Sequence, residues 1–458
     1  MKFNKIWIAV ALSWCWWIYL GLTSQMLVSG DALGYHYLAD MLNQQGWGEY
    51  FTTGPNREPG YPLLVATSLK LGQWTGMDHL AILKAIQLAL LGCAQLMVWR
   101  WLLLLGVSST GIMLAVAYIG FSPALLNAAL SMYSEILIIP LWIALILAHT
   151  CWWQAIMDKK RWLPALMPLW IAVIWLACIA IKAIAWYVFL MYWAVMAAVL
   201  VWKLPKGTHK RVLGGWVLMA AIVVGSIQSY TQLQFLYNGS RMLTDRGTYL
   251  FYANAIRRTA VLDRQKVLAA VTAVPGEGLC YALMRQEDCL YWGINNQDVI
   301  GFAQLAALQS QGYKGKQKDD RMFKMGFEAI KTNPPQYAFF TFLEACKIFF
   351  WESTQVSFVL YPPWLKELYV NGMVKNAFRL VPAMAGIWAF IVLVLRLWKL
   401  RRAPWGIQEL SALVLLLVIV FVAGMYALAT LVVRYAFMLG PLWVGLWALA
   451  AQRRRIFK

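Results

Sequence analysis

Long runs of apolar residues, separated by short polar segments, occupy most of this chain. A helix needs roughly 20 predominantly apolar residues to cross the hydrocarbon core of a bilayer. Ten runs approach that length, so the pattern predicts an all-α polytopic membrane protein. The predicted spans are 6–28, 85–105, 110–126, 135–152, 163–181, 183–202, 212–236, 377–398, 408–431 and 435–451.

Two polar stretches are too long to be simple turns between spans. The first loop covers 29–84, and the longer stretch, 238–376, has the length of a mostly helical domain. The predicted organisation is therefore an N-terminal transmembrane module (1–237), this domain, and C-terminal transmembrane helices (377–458). Within the first loop, apolar residues recur at helical spacing, which predicts an amphipathic helix over 31–45 on the membrane surface.

The composition supports this class. Hydrophobic residues make up 61% of the chain and charged residues only 13%, with a mean hydropathy of +0.60. Soluble domains carry about 25% charged residues, so a soluble protein and a disordered chain are both excluded. The 26 Trp and 21 Tyr residues are typical of the aromatic belts at the two membrane surfaces.

The net charge of +20 comes from 40 Lys and Arg residues against 20 Asp and Glu residues. The basic residues concentrate in alternate connections between spans, notably at 159–161, 203–211, 396–402 and 453–458. By the positive-inside rule these connections and both termini are predicted to be cytoplasmic, and the two long polar stretches to face outward. The charge is therefore a topology signal, and no nucleic-acid partner is predicted.

Two cysteines, Cys280 and Cys289, fall in the predicted outward domain. The outward side of the membrane is oxidising in most cells, and this separation is long enough to close a disulfide. We therefore predict a Cys280–Cys289 disulfide, with two free thiols as the alternative.

Charged residues in the first loop form the clearest candidate site. Asp31 directly follows the first predicted span. Further on, the segment Arg57-Glu58-Pro59-Gly60-Tyr61-Pro62 cannot form regular helix, because Pro59 favours extended geometry at Glu58 and Gly60 permits a tight turn. A carboxylate and a guanidinium are thus expected on rigid backbone at one membrane face.

These motifs resemble those of the GT-C glycosyltransferases, near the dolichyl-phosphate-mannose–protein mannosyltransferase-like group. The resemblance begins with a span ending in Gly-Asp, a surface helix of the form Y-x-Y-L-A-x-x-L, and R-x-P-G-Y-P. The chain lacks the K-P-P-L-type element of the aminoarabinose-transferring branch. Shorter elements that agree with the group are Tyr133-Ser134-Glu135, Ala180-Ile181-Lys182, Asn333-Pro334-Pro335 and Arg434-Tyr435 with Pro441.

The resemblance implies an inverting enzyme that moves a sugar from a polyprenyl phosphate to a hydroxyl of a glycan, lipid or protein acceptor. It implies a bacterial inner membrane with the site facing the periplasm. Asp31 would be the general base, and Arg57, Lys182 and Arg434 would bind the donor phosphate. Some relatives hold a divalent metal through an acidic residue, for which Glu135 is the candidate here; no other cofactor is expected.

The residue types suit this chemistry independently. A glycosyl phosphate already carries a good leaving group, whereas glycoside hydrolases need a second carboxyl group to protonate a departing alkoxide. One carboxylate that accepts the proton of the attacking hydroxyl, together with fixed cations for the phosphate, is therefore sufficient.

Each candidate has a plainer structural alternative. Asp31 is well placed to cap the surface helix, and Arg57 to extend toward lipid headgroups. An ion pair between Arg434 and Glu135 would explain both residues without a ligand. Further candidates are Asp40, Glu58, Tyr61 and Tyr435.

Two other functions remain open at this stage. An O-antigen ligase or polymerase also consumes polyprenyl-linked sugars, but those enzymes usually depend on Arg and His in a large late loop. A non-enzymatic transporter of lipid-linked sugars is the second alternative. Against it, the spans contain few charges and no inverted repeat of broken helices.

Overall fold

A computed structural model describes residues 4–54, 57–158, 163–203, 209–244, 246–403, 405–429 and 431–452. Almost all of the described chain is helical. A 3-10 helix (Lys347–Phe350) and two short strands, β1 (Gln25–Met26) and β2 (Val359–Leu360), complete the fold. The α-helices are α1 (Asn4–Thr23), α2 (Asp31–Gln44), α3 (Gly46–Thr52), α4 (Gly60–Thr75), α5 (His79–Leu104), α6 (Ser109–Phe121), α7 (Pro123–Leu130), α8 (Glu135–Met157), α9 (Leu163–Ile181), α10 (Ile184–Lys203), α11 (His209–Asn238), α12 (Arg246–Thr259), α13 (Arg264–Thr272), α14 (Glu277–Leu283), α15 (Gln286–Trp292), α16 (Ile294–Ser310), α17 (Gly315–Thr332), α18 (Pro334–Cys346), α19 (Pro363–Val370), α20 (Gly372–Lys399), α21 (Ile407–Ala429), α22 (Val433–Phe437) and α23 (Gly440–Ala451).

Several helices are long and apolar enough to cross a bilayer, so the chain is an integral membrane protein. Among the described residues, seven helices meet this criterion, namely α1, α5, α8, α10, α11, α20 and α21. The other three predicted spans differ. The run 110–126 is divided between α6 and α7, which meet at an angle of 46°, while α9 and α23 are shorter apolar helices.

The break between α6 and α7 has a local cause. Ser122 is extended and its hydroxyl accepts a hydrogen bond from the backbone N–H of Leu125, which caps a new helix. Pro123, at the start of α7, has no N–H to continue the hydrogen bonding of α6. The hydropathy of the run is uninterrupted, so hydropathy alone predicted one span.

The first predicted span is too long. α1 ends at Thr23 rather than at residue 28, because the following residues form β1 and pair antiparallel with β2, Gln25 opposite Leu360. The helix predicted over 31–45 is present as α2, Asp31–Gln44, and its position at the membrane surface stays a prediction. Basic residues 159–161, 206 and 453–458, which contribute to the predicted orientation, lie outside the described residues.

α8 forms the centre of the bundle and is buried along most of its length. It packs against α5, α9, α21 and α23, and Trp142 of α8 meets Trp175 of α9 edge to face. A helix that is apolar on all sides is expected in the interior of a bundle.

The long polar stretch forms the helices α12 to α19. α12 packs against α16, α17 and α18 and also against the membrane helix α21. The predicted disulfide between Cys280 and Cys289 is present; it joins α14 to α15 with a Cα–Cα distance of 5.8 Å.

Candidate functional site

Asp31 is the first residue of α2 and lies between two arginines. Its Oδ1 atom is 2.7 Å from Nη2 of Arg57, and its Oδ2 atom is 2.5 Å from Nη2 of Arg434. Gly30, with a φ of +56°, occupies the N-cap position, so the predicted capping role of Asp31 is wrong. Both carboxylate oxygens are instead committed to guanidinium groups.

Arg57 is buried rather than extended toward lipid headgroups, with 6% of the residue exposed. Its guanidinium lies 4.1 Å from the centre of the Tyr35 ring, and its backbone carbonyl accepts a hydrogen bond of 2.7 Å from the Tyr50 hydroxyl. A Cβ atom at Gly34 would stand 3.1 Å from Nε of Arg57. A side chain at position 34 would therefore press on the Arg57 guanidinium, which would have to shift by a few tenths of an ångström.

Arg434 reaches Asp31 from the other end of the chain. It belongs to the short helix α22, and its guanidinium lies 5.1 Å from the Tyr133 ring and 5.3 Å from the Tyr435 ring. The alternative ion pair between Arg434 and Glu135 is wrong, because Glu135 binds another cation. Stacked aromatic faces favour a planar guanidinium over an ammonium at this position.

Glu135 is paired with Lys182. Nζ of Lys182 is 3.0 Å from Oε1 of Glu135, and both residues are buried. The same ammonium lies 5.2 Å from the ring of Tyr435, the neighbour of Arg434. The two ion pairs, Asp31 with its arginines and Glu135 with Lys182, are therefore adjacent through Tyr435.

Two of the further candidates hold the backbone of the site. Oε1 of Glu58 accepts a 2.7 Å hydrogen bond from the N–H of Ala183, next to Lys182. A Cβ atom at Gly60 would stand 2.8 Å from the carbonyl oxygen of Ala180. The prediction that this segment contains no regular helix is wrong for its second half, because α4 begins at Gly60 with Pro59 at its N-cap. The segment is packed against the connection between α9 and α10. Tyr61 is fully buried, and its hydroxyl donates to Gln87 of α5 at 2.7 Å.

Asp40 is not part of this cluster. It pairs at 2.9 Å with His36, one turn earlier on α2, and is half-exposed. Tyr435 is part of the cluster, since it lies beside Lys182 and Arg434 and stacks on Tyr426 with ring centres 4.5 Å apart.

Sequence reasoning identified Tyr61 and Tyr435 but missed Tyr35, which lies against Arg57. Tyr35 is buried, and its hydroxyl lies 2.9 Å from that of Ser134. Burial raises the pKa of the Tyr35 hydroxyl, while Lys182 and Arg57 oppose the increase. The available signal was the spacing: Tyr35 and Tyr37 are two residues apart, so only one can face the bundle, and Tyr37 is 60% exposed.

The charges of the cluster balance. Three cations (Arg57, Lys182 and Arg434) lie with three carboxylates in this region: Asp31 and Glu135 form ion pairs, and Glu58 binds the backbone N–H of Ala183. An anion that binds here would therefore compete with the Asp31 carboxylate for Arg57 and Arg434. Among the described residues there is no group of three or more His, Cys, Asp or Glu side chains that could hold a metal.

The chain matches no known protein family, no characterised protein and no solved structure at a significant level.

Proposed function

We propose that this protein is an inverting glycosyltransferase of the GT-C type, which uses a polyprenyl-phosphate-linked sugar as donor and acts at the extracytoplasmic membrane face. The observation that carries the proposal is Asp31 held between Arg57 and Arg434, with Lys182 alongside, in a membrane-embedded helical protein. One acid and three cations are the set that transfer from a glycosyl phosphate requires.

The donor phosphate binds by competing with Asp31 for its arginines. Guanidinium groups bind phosphate in a two-point geometry that matches carboxylate, so Arg57 and Arg434 accept either partner. Asp31 is the more accessible member of the pairs, with 24% of its side chain exposed against 7% for Arg57. Phosphate thus draws the arginines away from Asp31 and leaves its carboxylate the stronger base.

The chemical step then needs no further acid. The acceptor hydroxyl attacks the anomeric carbon, its proton passes to the Asp31 carboxylate, and the bond from that carbon to the phosphate oxygen breaks. The bonding electrons leave with the polyprenyl phosphate, whose added negative charge is stabilised by Arg57, Arg434 and Lys182. Attack opposite the leaving group inverts the configuration of the sugar.

The rest of the fold serves substrate binding in this proposal. The apolar membrane helices provide the environment for an isoprenoid tail, and the α12–α19 segment contacts Leu431, just before the helix α22 that carries Arg434. We assign the choice of acceptor, a glycan, lipid or protein, to this segment. The proposed step does not require a metal; Oε1 of Glu135, the candidate metal ligand, accepts a hydrogen bond from Lys182.

Substitution of Asp31 by Asn tests the proposal, because it removes the charge and scarcely changes size. Purified protein in lipid nanodiscs is offered defined polyprenyl-phosphate sugars with a membrane extract as acceptor source, and products are identified by mass spectrometry. Asp31→Asn should lower transfer more than about 100-fold, as expected for loss of a general base. Asp40→Asn is the matched control, because it makes the same change on α2 at a residue outside the cluster, and it should keep wild-type activity.

Full transfer by Asp31→Asn would overturn the assignment of the base. Activity that survives in this variant but is lost with changes in a late loop would favour a ligase or polymerase. Movement of a labelled polyprenyl sugar across vesicles, with no new glycoside formed, would favour a transporter.

A further inference from the structure

The C-terminal end of α21 is held by side chains from the α12–α19 segment. The carbonyl oxygen of Ala427 accepts a hydrogen bond of 2.6 Å from Nη1 of Arg258, and that of Ala429 accepts one from Asn254. The Tyr337 hydroxyl donates to the carbonyl of Leu428 at 3.4 Å. These donors come from α12 and α18.

These contacts supply hydrogen-bond donors to the carbonyl groups at the end of α21. The last four carbonyl groups of a helix have no partner within the helix and need donors from elsewhere. Here three consecutive carbonyls obtain them from another part of the protein rather than from water. The end of α21 is therefore fixed relative to α12 and α18.

The same segment also holds the residues that follow α21. Oε1 of Glu344, in α18, accepts a 2.9 Å hydrogen bond from the backbone N–H of Leu431. Arg434 is three positions further along the chain and makes its ion pair with Asp31. Residue 431 is thus anchored on one side by Glu344, and residue 434 on the other by Asp31.

Glu344 is itself immobilised by charge. Its Oε2 atom lies 2.9 Å from Nζ of Lys347 and 4.0 Å from Nη2 of Arg258. Arg258 and Glu344 are 1% and 6% exposed. Buried ionic groups hold a defined arrangement because the loss of one partner leaves the other uncompensated.

We infer that Glu344 and Arg258 are positioning residues, which set the location of Arg434 and so couple the α12–α19 segment to the Asp31 site. Their catalytic consequence rests on the function proposed above, whereas their effect on the backbone at Arg434 does not. The two parts of the inference can therefore be tested separately.

The first test measures the backbone directly. Amide hydrogen exchange of residues 431–437 is compared in full-length wild type, Glu344→Ala and Glu344→Gln. Glu344→Ala removes the acceptor of the Leu431 N–H, and exchange in this peptide should rise about tenfold, the loss expected for a hydrogen bond to a charged group. Gln retains an acceptor oxygen and should restore most of the protection.

Lys266→Ala is the matched control. Lys266 lies in the same segment but pairs with Asp263 at the surface, away from α21. It should leave exchange in residues 431–437 unchanged. If Glu344→Ala also leaves this peptide unchanged, or loosens the whole bundle equally, the positioning role is wrong.

The second test is a double-mutant cycle with Arg434→Ala, in which polyprenyl phosphate affinity and kcat/KM for transfer are measured. If Glu344→Ala does not fold, Glu344→Gln takes its place in the cycle. Arg258→Lys is combined with Arg434→Ala in a second, independent cycle. Each change should lower donor affinity several-fold when Arg434 is present and have little effect when it is absent. Additive losses would overturn the role.

The outcomes separate the two proposals. Altered exchange together with absence of transfer by the wild type would leave the positioning role standing and defeat the glycosyltransferase. Normal transfer with unaltered exchange in the Glu344 variants would defeat the positioning role and leave the glycosyltransferase proposal standing.

Discussion

Asp31 and Glu344 are both carboxylates set between two cations, yet they differ in what else they touch. Glu344 is almost completely buried, and one of its oxygens holds a backbone N–H. Asp31 is partly exposed, and both of its oxygens bind arginine side chains from distant parts of the chain. Glu344 therefore fixes backbone, whereas Asp31 binds side chains, for which an anion would compete in the function proposed above.

The difference indicates how a membrane protein separates stability from binding. A buried acid whose partners include backbone cannot change partners without unfolding its surroundings. An acid that is partly exposed and binds side chains from distant segments can change partners with less effect on the fold. The same residue types thus have different uses according to what they contact and how exposed they are.

The largest expected effect on stability is that of Glu344→Ala. The change leaves the buried Arg258 with no carboxylate within ion-pair distance among the residues that the structure describes. We therefore expect the free energy of unfolding to fall by about 3 kcal/mol. Asp31→Ala should cost less, about 1–2 kcal/mol, because Asp31 and Arg434 are partly exposed and only Arg57 of the three is buried. Denaturant unfolding in detergent micelles measures both, and equal losses would remove the distinction between the two acids.

The next effect concerns binding. Arg434→Lys keeps the charge but loses the planar fork that bridges Asp31 and lies between tyrosine rings. We expect affinity for a polyprenyl phosphate to fall by about tenfold to 100-fold. Lys347→Arg, in the Glu344 cluster, should leave this affinity unchanged. If both substitutions act alike, the phosphate site is not at Arg434.

Acid should act on the Glu344 cluster. Burial tends to raise the pKa of Glu344, but Lys347, Arg258 and Arg257 together lower it to about 2. Because the carboxyl group binds a proton more weakly in the folded state, its stabilising effect is complete above pH 4.5 and declines as pH falls toward 2.

This effect should amount to about 1–2 kcal/mol by pH 3, and it should be absent from Glu344→Gln. Denaturant unfolding of wild type and Glu344→Gln at pH 6 and pH 3 provides the measurement. The same pH dependence in both proteins would mean that other acids are responsible.

The smallest effect is expected at Gly60. An added methyl group would stand 2.8 Å from the carbonyl of Ala180, so Gly60→Ala must displace the connection that carries Lys182. We expect a loss of about 1 kcal/mol in stability and a several-fold loss in donor affinity. Gly225→Ala is the control, since nothing lies within 4 Å of an added Cβ there. Equal effects at the two glycines would contradict this packing argument.

Much of the fold could be predicted because spans are determined by local hydropathy. The helices α5, α8, α20 and α21 each contain a long apolar run. In lipid such a run forms a helix, because a helix satisfies all of its backbone hydrogen bonds within the segment. The break at Ser122 and the early end of α1 were not predictable in this way. Both depend on local hydrogen bonding or on pairing with residue 360, which hydropathy does not report.

The residues of the candidate site could be predicted from the sequence, but their pairing could not. Asp31, Arg57, Lys182 and Arg434 stood out because charges beside apolar runs are costly and therefore informative. The partners could not be predicted, since Arg434 and Lys182 are equally plausible cations for Glu135 in the sequence. The structure resolves the choice through the α9–α10 connection, which brings Lys182 to Glu135 and leaves Arg434 for Asp31.

Asp31 and Arg434 are 403 positions apart, and β1 closes on β2 across much of the same interval. A nascent chain inserted from its N-terminus holds Asp31 and Arg57 in the membrane long before the ribosome reaches the codon for Arg434. Until then the carboxylate has one guanidinium partner instead of two. The Asp31 centre can therefore be completed only after nearly the whole chain has been made.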